Sequence, residues 1–417
     1  MIHRRMARTS DTQCRNDAGQ RYNSAVRILH VIDSLDPRCG GPPAVVLRLA
    51  AAQAGRTDSA SILSYRTPGG DDRVTASMKA IPGMDRVPVV LVDRERGLVS
   101  RIAGGSLKAW CRQHLASWDV VHIHGVWDPA VRASAAEARR QGVPYVLVPH
   151  ASLDPWAMRQ TPMKRIKKAL AMAVQVRSLF NGATFVHSLN DAESAGIRTA
   201  GIHAPLEIVP NGIFPEEIRV FPEPGRFRAA HPELGSDPFI LFLSRIHVKK
   251  GLDFLVAAYD VAARQSPSLR LVIAGPDDGE LGRLKADIAA RGIGDRVHVI
   301  GPVFGLDKYS ALVDASAFCL PSRMEGFSVA ILEALACRCP VIISPQCNFP
   351  EVARNGAGIE VELDAAKIAD AMLGLLRDPE KGRSMAARGR TLVEGHYTWP
   401  SIAATLDKTY RRHGVSG

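Results

Sequence analysis

The stretch that decides how this chain is read is "PSRMEGFSVAILEALACRCPVIIS", residues 321–344. Its run from Ser328 to Cys337 is apolar except for one carboxylate, Glu333. A second carboxylate, Glu325, stands eight positions earlier beside Gly326. The preceding "AFCLPS" (317–322) reads as a strand, "RMEGF" (323–327) as a turn, and Ser328 as the N-cap of a helix. A helix that is apolar all round is a buried one, and a buried carboxylate without a partner is costly. Two accounts of Glu333 are open. It pairs with a basic residue that the sequence does not identify, or it accepts two hydrogen bonds from a vicinal diol such as a ribose. The loop ahead of the helix presents backbone N–H groups at a helix N-terminus, a natural anion site. Gly326 there permits close approach of a ligand.

Working outward, apolar β-branched runs alternate with helical patterns along the chain. "AVRILHVID" (25–33), "DVVHIHG" (119–125), "VPYVLVPHA" (143–151) and "ATFVHSL" (183–189) read as strands of a first unit. The pattern restarts at "LEIVPNGI" (206–213). A Pro- and Gly-rich stretch around residues 214–238 reads as a linker. Then come "FILFLSR" (239–245), "LRLVIAGP" (269–276), "VHVIGPV" (297–303), "AFCLPS" and "PVIIS" (340–344). Strand–helix alternation predicts α/β units with doubly wound parallel sheets. The expected division is a basic disordered tail over 1–24, one unit over 25–205 and a second over 206–398. A last helix over about 399–414 is expected to return to the first unit. Ligands of open α/β sheets bind outside the carboxyl ends of the strands.

A chain of 417 residues suits two domains. Hydrophobic content of 46% with 23% charged residues is ordinary for a globular protein, whereas the net charge of +11 favours anionic partners. No apolar run reaches the length of a spanning helix, and the N-terminus lacks the apolar core of a secretory signal. The seven cysteines show no disulfide or zinc spacing and read as reduced thiols. No metal site is expected.

Other residues suit an anionic ligand. Arg245 closes a strand and Lys250 stands five positions later, a spacing that clamps a diphosphate or forms a solvated basic loop. Gly40 and Gly41 form a turn after the first strand, a weak signal by itself. Neither a dinucleotide fingerprint nor a P-loop is present. His150 and His124 each end a strand, where a histidine serves either structure or a site. "PMKRIKKALAMAVQVRSLF" (162–180) reads as a basic amphipathic helix, either a solvated face or an attachment to an anionic leaflet.

Together these residues resemble the retaining glycosyltransferases of family 4, also called group 1, which have the GT-B fold of two Rossmann-like domains facing across a cleft. The likeness runs from Ala25 over most of the chain. Glu325 and Glu333 look like that family's E-x7-E motif, and "SRIHVKKGLDFL", "IVPNGI" and "LVIAGP" occur in the matching order. "HASLDPWAMRQTPMKRIKKAL" and "GPVFGLDKYSALVDAS" look like the bacterial branch that builds exopolysaccharide or lipopolysaccharide O-antigen units.

The resemblance implies roles. Glu333 holds the ribose hydroxyls, and Glu325 contacts the donor sugar near the transferred carbon. The amides of Gly326, Phe327 and Ser328 hold sugar hydroxyls and phosphate. Arg245 and Lys250 bind the departing diphosphate, with Gly41 near it from the other domain. His150 touches the donor sugar or assists near the reaction centre, and Val303 meets the base through its backbone.

The implied reaction moves a hexose, with retention, from a UDP- or GDP-sugar to a growing lipid-linked glycan. It needs no metal or further cofactor. The enzyme would be cytoplasmic and peripheral at the inner face of the cell membrane. Cations on the leaving group would stabilise charge that develops only in the transition state.

Two departures from the pattern stand out. Arg338 occupies a position usually held by Gly, and Ser328 replaces the commoner Gly of the loop. The rivals are a sugar-nucleotide epimerase on the same scaffold and a non-catalytic nucleotide-sugar binder. A nucleic-acid partner is not expected, since the charge is dispersed and no recognition motif with aromatics is present.

Overall fold

The computed structural model describes residues 25–56, 59–95, 105–158, 162–218 and 221–417; the side chains of 157–158, 162–165 and 167 are not described. The expected tail over 1–24 lies outside the described residues.

Seven strands form the first sheet: β1 (Arg27–Ser34), β2 (Ser59–Tyr65), β3 (Val89–Val92), β4 (Val120–His124), β5 (Tyr145–Val148), β6 (Phe185–Ser188) and β7 (Leu206–Ile208). Six form the second: β8 (Phe239–Leu243), β9 (Arg270–Ala274), β10 (Val297–Gly301), β11 (Ala317–Leu320), β12 (Val341–Ile343) and β13 (Gly358–Glu360). Neighbours run 3-2-1-4-5-6-7 in the first sheet and 10-9-8-11-12-13 in the second, and every pairing is parallel. Strands such as β8, "FILFL", are buried along their whole length, because helices cover both faces of a parallel sheet. The strand order reverses between β1 and β4, and again between β8 and β11. Those two switch points are where crevices open at the strands' carboxyl ends.

The helices that position the site are α1 (Gly41–Ala54), α2 (Leu252–Gln265), α3 (Gly305–Asp314), α4 (Val329–Ala336) and α5 (Trp399–Arg412). Helix α5 comes after the second domain yet packs on the first. Its Trp399, Ile402, Leu406 and Tyr410 join a core with Val45, Val46 and Leu49 of α1. The chain crosses between domains at one seam. There the Ile213 amide donates to the Tyr397 carbonyl, and the Trp399 amide donates to the Ile213 carbonyl, each at 2.9 Å.

Two expectations need correction. Residues 206–208, read as the start of the second unit, pair with β6 and end the first sheet. The strand is short and edge-placed, so nothing local separates it from the segment after it. The stretch read as a linker is a packed cap of the second domain. Its Ile218, Phe227 and Leu234 are buried in that domain's core. The Gly225 and Arg228 amides donate to the Asp314 carboxylate at 2.6 and 3.1 Å.

Helix α4 ends as its sequence suggests. The Cys339 amide donates to the Ala334 carbonyl at 2.9 Å and the Arg338 amide to the Leu335 carbonyl at 3.1 Å, the two bonds of a Schellman cap. Arg338 takes the left-handed position with φ 55° and is exposed. A side chain there costs about 1 kcal/mol relative to glycine. Arg338→Gly is therefore expected to stabilise the protein by about 1 kcal/mol, read as a higher urea midpoint with unchanged slope. An unchanged or lower midpoint would show that the arginine has a compensating contact.

Candidate active site

The loops after β8 and β11, neighbours at the second switch point, are stitched together. Gly251, at φ 66°, lies so close to the other loop that a Cβ would sit 1.9 Å from the Pro321 carbonyl oxygen. The turn ahead of it therefore lies flush against residues 321–325. The Arg323 amide donates to the Lys249 carbonyl at 2.7 Å, and its guanidinium pairs with Asp253 of α2 at 2.5 Å. This brings the Lys250 ammonium to 2.6 Å from Glu325 Oε1, which also accepts from Ser322 Oγ at 2.6 Å. The Glu325 amide donates to the Gln346 carbonyl, and its carbonyl accepts from Asn348 Nδ2 at 2.8 Å. Glu325 and Lys250 are each only 8% exposed, so the pair is largely withdrawn from water.

Glu333 has an identifiable partner. Lys308 of α3 donates to its Oε1 at 2.5 Å. Nothing in the sequence singles Lys308 out, because a lone lysine on the exposed first turn of a helix is common. Glu333 keeps a second oxygen with no protein donor among the described residues. Arg245 is the more exposed of the two expected clamp residues and pairs with Asp278 at 2.6 Å. Gly41 is the first residue of α1 and faces open space. Val303 lies just after β10, half-buried against the second core.

Gly326 allows a close approach, and the partner seen is the other domain. A Cβ on Gly326 would lie 2.9 Å from the Ala151 Cβ. Asn190 Nδ2 donates to the Gly326 carbonyl, and Asn211 Nδ2 donates to the Phe327 carbonyl at 3.3 Å. The Lys249 ammonium sits 5.0 Å from the Trp156 ring centre, a further contact across the domain boundary. Ser328 is the N-cap residue of α4, but its side chain makes no cap bond. The Gly326, Phe327 and Ser328 amides donate to no group among the described residues.

His150 is reached through a strained turn. It and Ala151 have φ of 50° and 58°, both left-handed. The turn is held by Glu193, whose carboxylate accepts from the Ala151 amide at 2.5 Å and the Leu189 amide at 2.7 Å. Burial pushes the Glu193 carboxyl up to about 7.

Behind His150 lies a buried file of histidines. His30 of β1 stands in register with His122 of β4. His150 Nε2 is 3.0 Å from His124 Nδ1, and His124 Nε2 is 3.0 Å from His30 Nδ1. Burial lowers His30 and His187 to about 4 and His150 to about 3, and holds His122 and His124 well below the usual imidazole range. All five are neutral at physiological pH. His30, His122 and His124 bring ligand nitrogens within 4.8 Å of one another, close enough to share a metal ion. Each ring nitrogen of those three already has a hydrogen-bond partner.

These shifts set how stability responds to acid. Histidines depressed in the fold stabilise it fully above about pH 6.5 and cease to do so as pH falls toward 4. Glu193, raised in the fold, acts oppositely between pH 4.5 and 7, but it is one group against five. Urea unfolding measured from pH 7.5 to 4.5 should show the midpoint falling with acid, most steeply below about pH 6. A flat or rising midpoint would show that the histidines are not buried neutral.

Comparison with known proteins agrees with this geometry. Residues 40–212 match the family described as glycosyl transferase 4-like domain, and residues 225–392 match glycosyl transferases group 1. The GDP-mannose-dependent monoacylated alpha-(1-6)-phosphatidylinositol monomannoside mannosyltransferase of Corynebacterium glutamicum is 30% identical, over 49% of this chain and 56% of that protein. The GDP-mannose-dependent alpha-(1-6)-phosphatidylinositol monomannoside mannosyltransferase of Mycobacterium tuberculosis is 27% identical over 91% of this chain and 97% of its own. The crystal structure of Anabaena Alr3699/HepE in complex with UDP and glucose superposes with a TM-score of 0.74, covering 93% of this chain and all of that one. At 17% identity, that likeness speaks to the fold alone. With both family matches in chain order and two parallel-sheet domains facing each other, the chain is a GT-B glycosyltransferase with a glycosyl transferase 4-like domain ahead of a group 1 domain.

Proposed function

We propose that this enzyme moves a hexose from a UDP- or GDP-sugar to a lipid-linked glycan acceptor, with retention of configuration and without a metal ion. The observation that carries the reading is the lysine-paired Glu325, fixed at the second switch point in a loop whose Gly326 abuts Ala151 of the other domain, next to His150. A donor lying between the two would meet Glu325 and His150 with its sugar and Lys250 and Arg245 with its diphosphate. Glu333 offers its second oxygen to the ribose. In each lysine–glutamate pair the ammonium is already oriented, so little reorganisation accompanies charge development on the leaving group. The relative matched along nearly its whole length is named for GDP-mannose and a phosphatidylinositol mannoside. That name supports a GDP-linked donor and a lipid acceptor as the first pair to assay. The exopolysaccharide or O-antigen role is part of the same proposal.

Attachment to a membrane surface is proposed from the helix Pro162–Ala171 and its continuation. No helix among the described residues is long and apolar enough to cross a membrane. Ile166, Leu170 and Val174, four positions apart, are 68%, 65% and 74% exposed and form an outward stripe. Lys168 lies 5.2 Å from the Trp127 ring centre, whereas the side chains of Lys164, Arg165 and Lys167 lie outside the described residues. An apolar stripe on a helix rich in lysine and arginine is what an anionic leaflet recognises.

Calorimetric titration with GDP-mannose, UDP-glucose and the free nucleotides tests the donor. Glu333→Ala should weaken binding of the correct nucleotide about 10- to 100-fold. Glu325→Gln should leave binding nearly intact and lower kcat about 100-fold or more. Failure of every nucleotide to bind folded wild type would overturn the transferase reading. For the membrane, Ile166→Ser combined with Leu170→Ser and Val174→Ser should abolish sedimentation with phosphatidylglycerol vesicles and leave donor affinity unchanged. Unaltered sedimentation would sink that part.

A further inference from the structure

The histidine file in the N-terminal domain belongs to one continuous hydrogen-bonded chain, and that chain has a direction. At its inner end His187 Nε2 lies 2.7 Å from the Val209 carbonyl oxygen. A carbonyl only accepts, so Nε2 carries the proton and Nδ1 of this neutral ring accepts. The donor to it is His122 Nε2 at 3.3 Å, which leaves His122 Nδ1 to accept from the Tyr410 hydroxyl at 2.5 Å. The Tyr410 oxygen then receives the Gln53 amide nitrogen, at 3.5 Å. This orients the Gln53 side chain with its oxygen 2.6 Å from His30 Nε2, which must donate. His30 Nδ1 therefore accepts from His124 Nε2, and His124 Nδ1 accepts from His150 Nε2.

Each assignment is forced by the one before, with no donor facing a donor. A protonated ring would break the sequence and place a charge in the core, which burial opposes. His150 is the outer end, where the chain reaches the turn beside Gly326. We propose that Gln53 and Tyr410, acting through His30 and His124, lock His150 as the Nε2–H tautomer, so that its Nδ1 serves as a hydrogen-bond acceptor for a hydroxyl of the donor sugar. The sugar contact rests on the donor reading above. The locked tautomer stands without it. Gln53 and Tyr410 touch no reacting atom; they are positioning residues contributed by α1 and α5. The consequence is selectivity: a neutral imidazole that can only accept favours a sugar with a hydroxyl at that place over its deoxy or deoxyfluoro analogue, neither of which can donate.

Long-range proton–nitrogen spectra of the full-length protein labelled with ¹⁵N-histidine report the tautomers directly, with assignment by His150→Gln. Wild type should show His150 protonated at Nε2 and bare at Nδ1. Gln53→Leu removes the acceptor that anchors His30, so His150 should become a tautomer mixture. Gln53→Glu restores an acceptor oxygen and should restore the single tautomer. If Gln53→Leu does not fold, Tyr410→Phe tests the same lock, because it frees the Gln53 amide to turn over. A His150 protonated at Nδ1 in wild type overturns the proposal, as does a single unchanged tautomer in a folded Gln53→Leu. A stoichiometric metal ion in the purified protein, lost with His122→Gln, also overturns it, since coordination would take lone pairs the chain uses.

Donor titration gives the second readout. Gln53→Leu should bind the correct nucleotide sugar about twofold more weakly, as expected when about half of His150 holds the competent tautomer, while affinity for the free nucleotide stays constant. Equal losses for both would overturn the sugar contact. Failure of wild type to bind any nucleotide sugar would instead overturn the donor reading, and the tautomer spectra would still decide the lock.

Discussion

The ion pair between Lys250 and Glu325 is the constraint on which the site depends. It joins the loops after two strands that are adjacent in the sheet, through residues 75 positions apart in the chain. It forms because Gly251 lets one backbone pass the other without a side chain between them. A withdrawn ion pair is only marginally favourable by itself, since desolvation offsets much of the attraction. Here Ser322 and the surrounding backbone bonds complete the shell around Glu325, so its geometry is over-determined. Such rigidity suits the role proposed for Glu325, which is to meet a sugar carbon from one direction.

The two domains prepare their halves of the site by different means. The C-terminal domain uses charge, with each carboxylate of the E-x7-E pair held by a lysine from another element. The N-terminal domain uses neutral polar groups, since the surroundings of its histidines exclude charge. The halves meet through narrow contacts: the Ala151–Gly326 approach, the two asparagine bonds to the loop carbonyls and the Lys249–Trp156 pair. Helix α5 and the seam at Ile213 tie the chain's end back to the first domain. Relative movement of the domains therefore has to pass through residues 209–213 and 397–399. Arg48 of α1 adds a pairing with Glu217 just beyond the seam, at 2.6 Å.

Much of the architecture was legible in the residues. The continuous apolar strands, the helical periods between them and the spacing of Glu325 and Glu333 are local patterns, each readable from its own segment. The unusual residue at position 338 was visible through the family resemblance, in which a glycine usually stands where Arg338 precedes Cys339, Pro340 and Val341. Short edge strands were less visible: β3 and β13 have four and three residues, too few for periodicity to separate them from loop. The segment before β8 misled because proline and glycine mark turns without saying whether the residues between them are buried.

Sequence alone determined two parallel-sheet domains and the carboxylate pair at a switch point, because alternation and helical spacing are properties of neighbouring residues. Tertiary structure decided the partners. Lys308 meets Glu333 from 25 positions away, and Gln53 meets Tyr410 across 357. No local pattern encodes such pairs, since a buried polar atom takes whatever donor or acceptor the packing brings to it. The direction of the histidine chain is the extreme case: each proton's place depends on the ring before it, back to a single carbonyl at Val209.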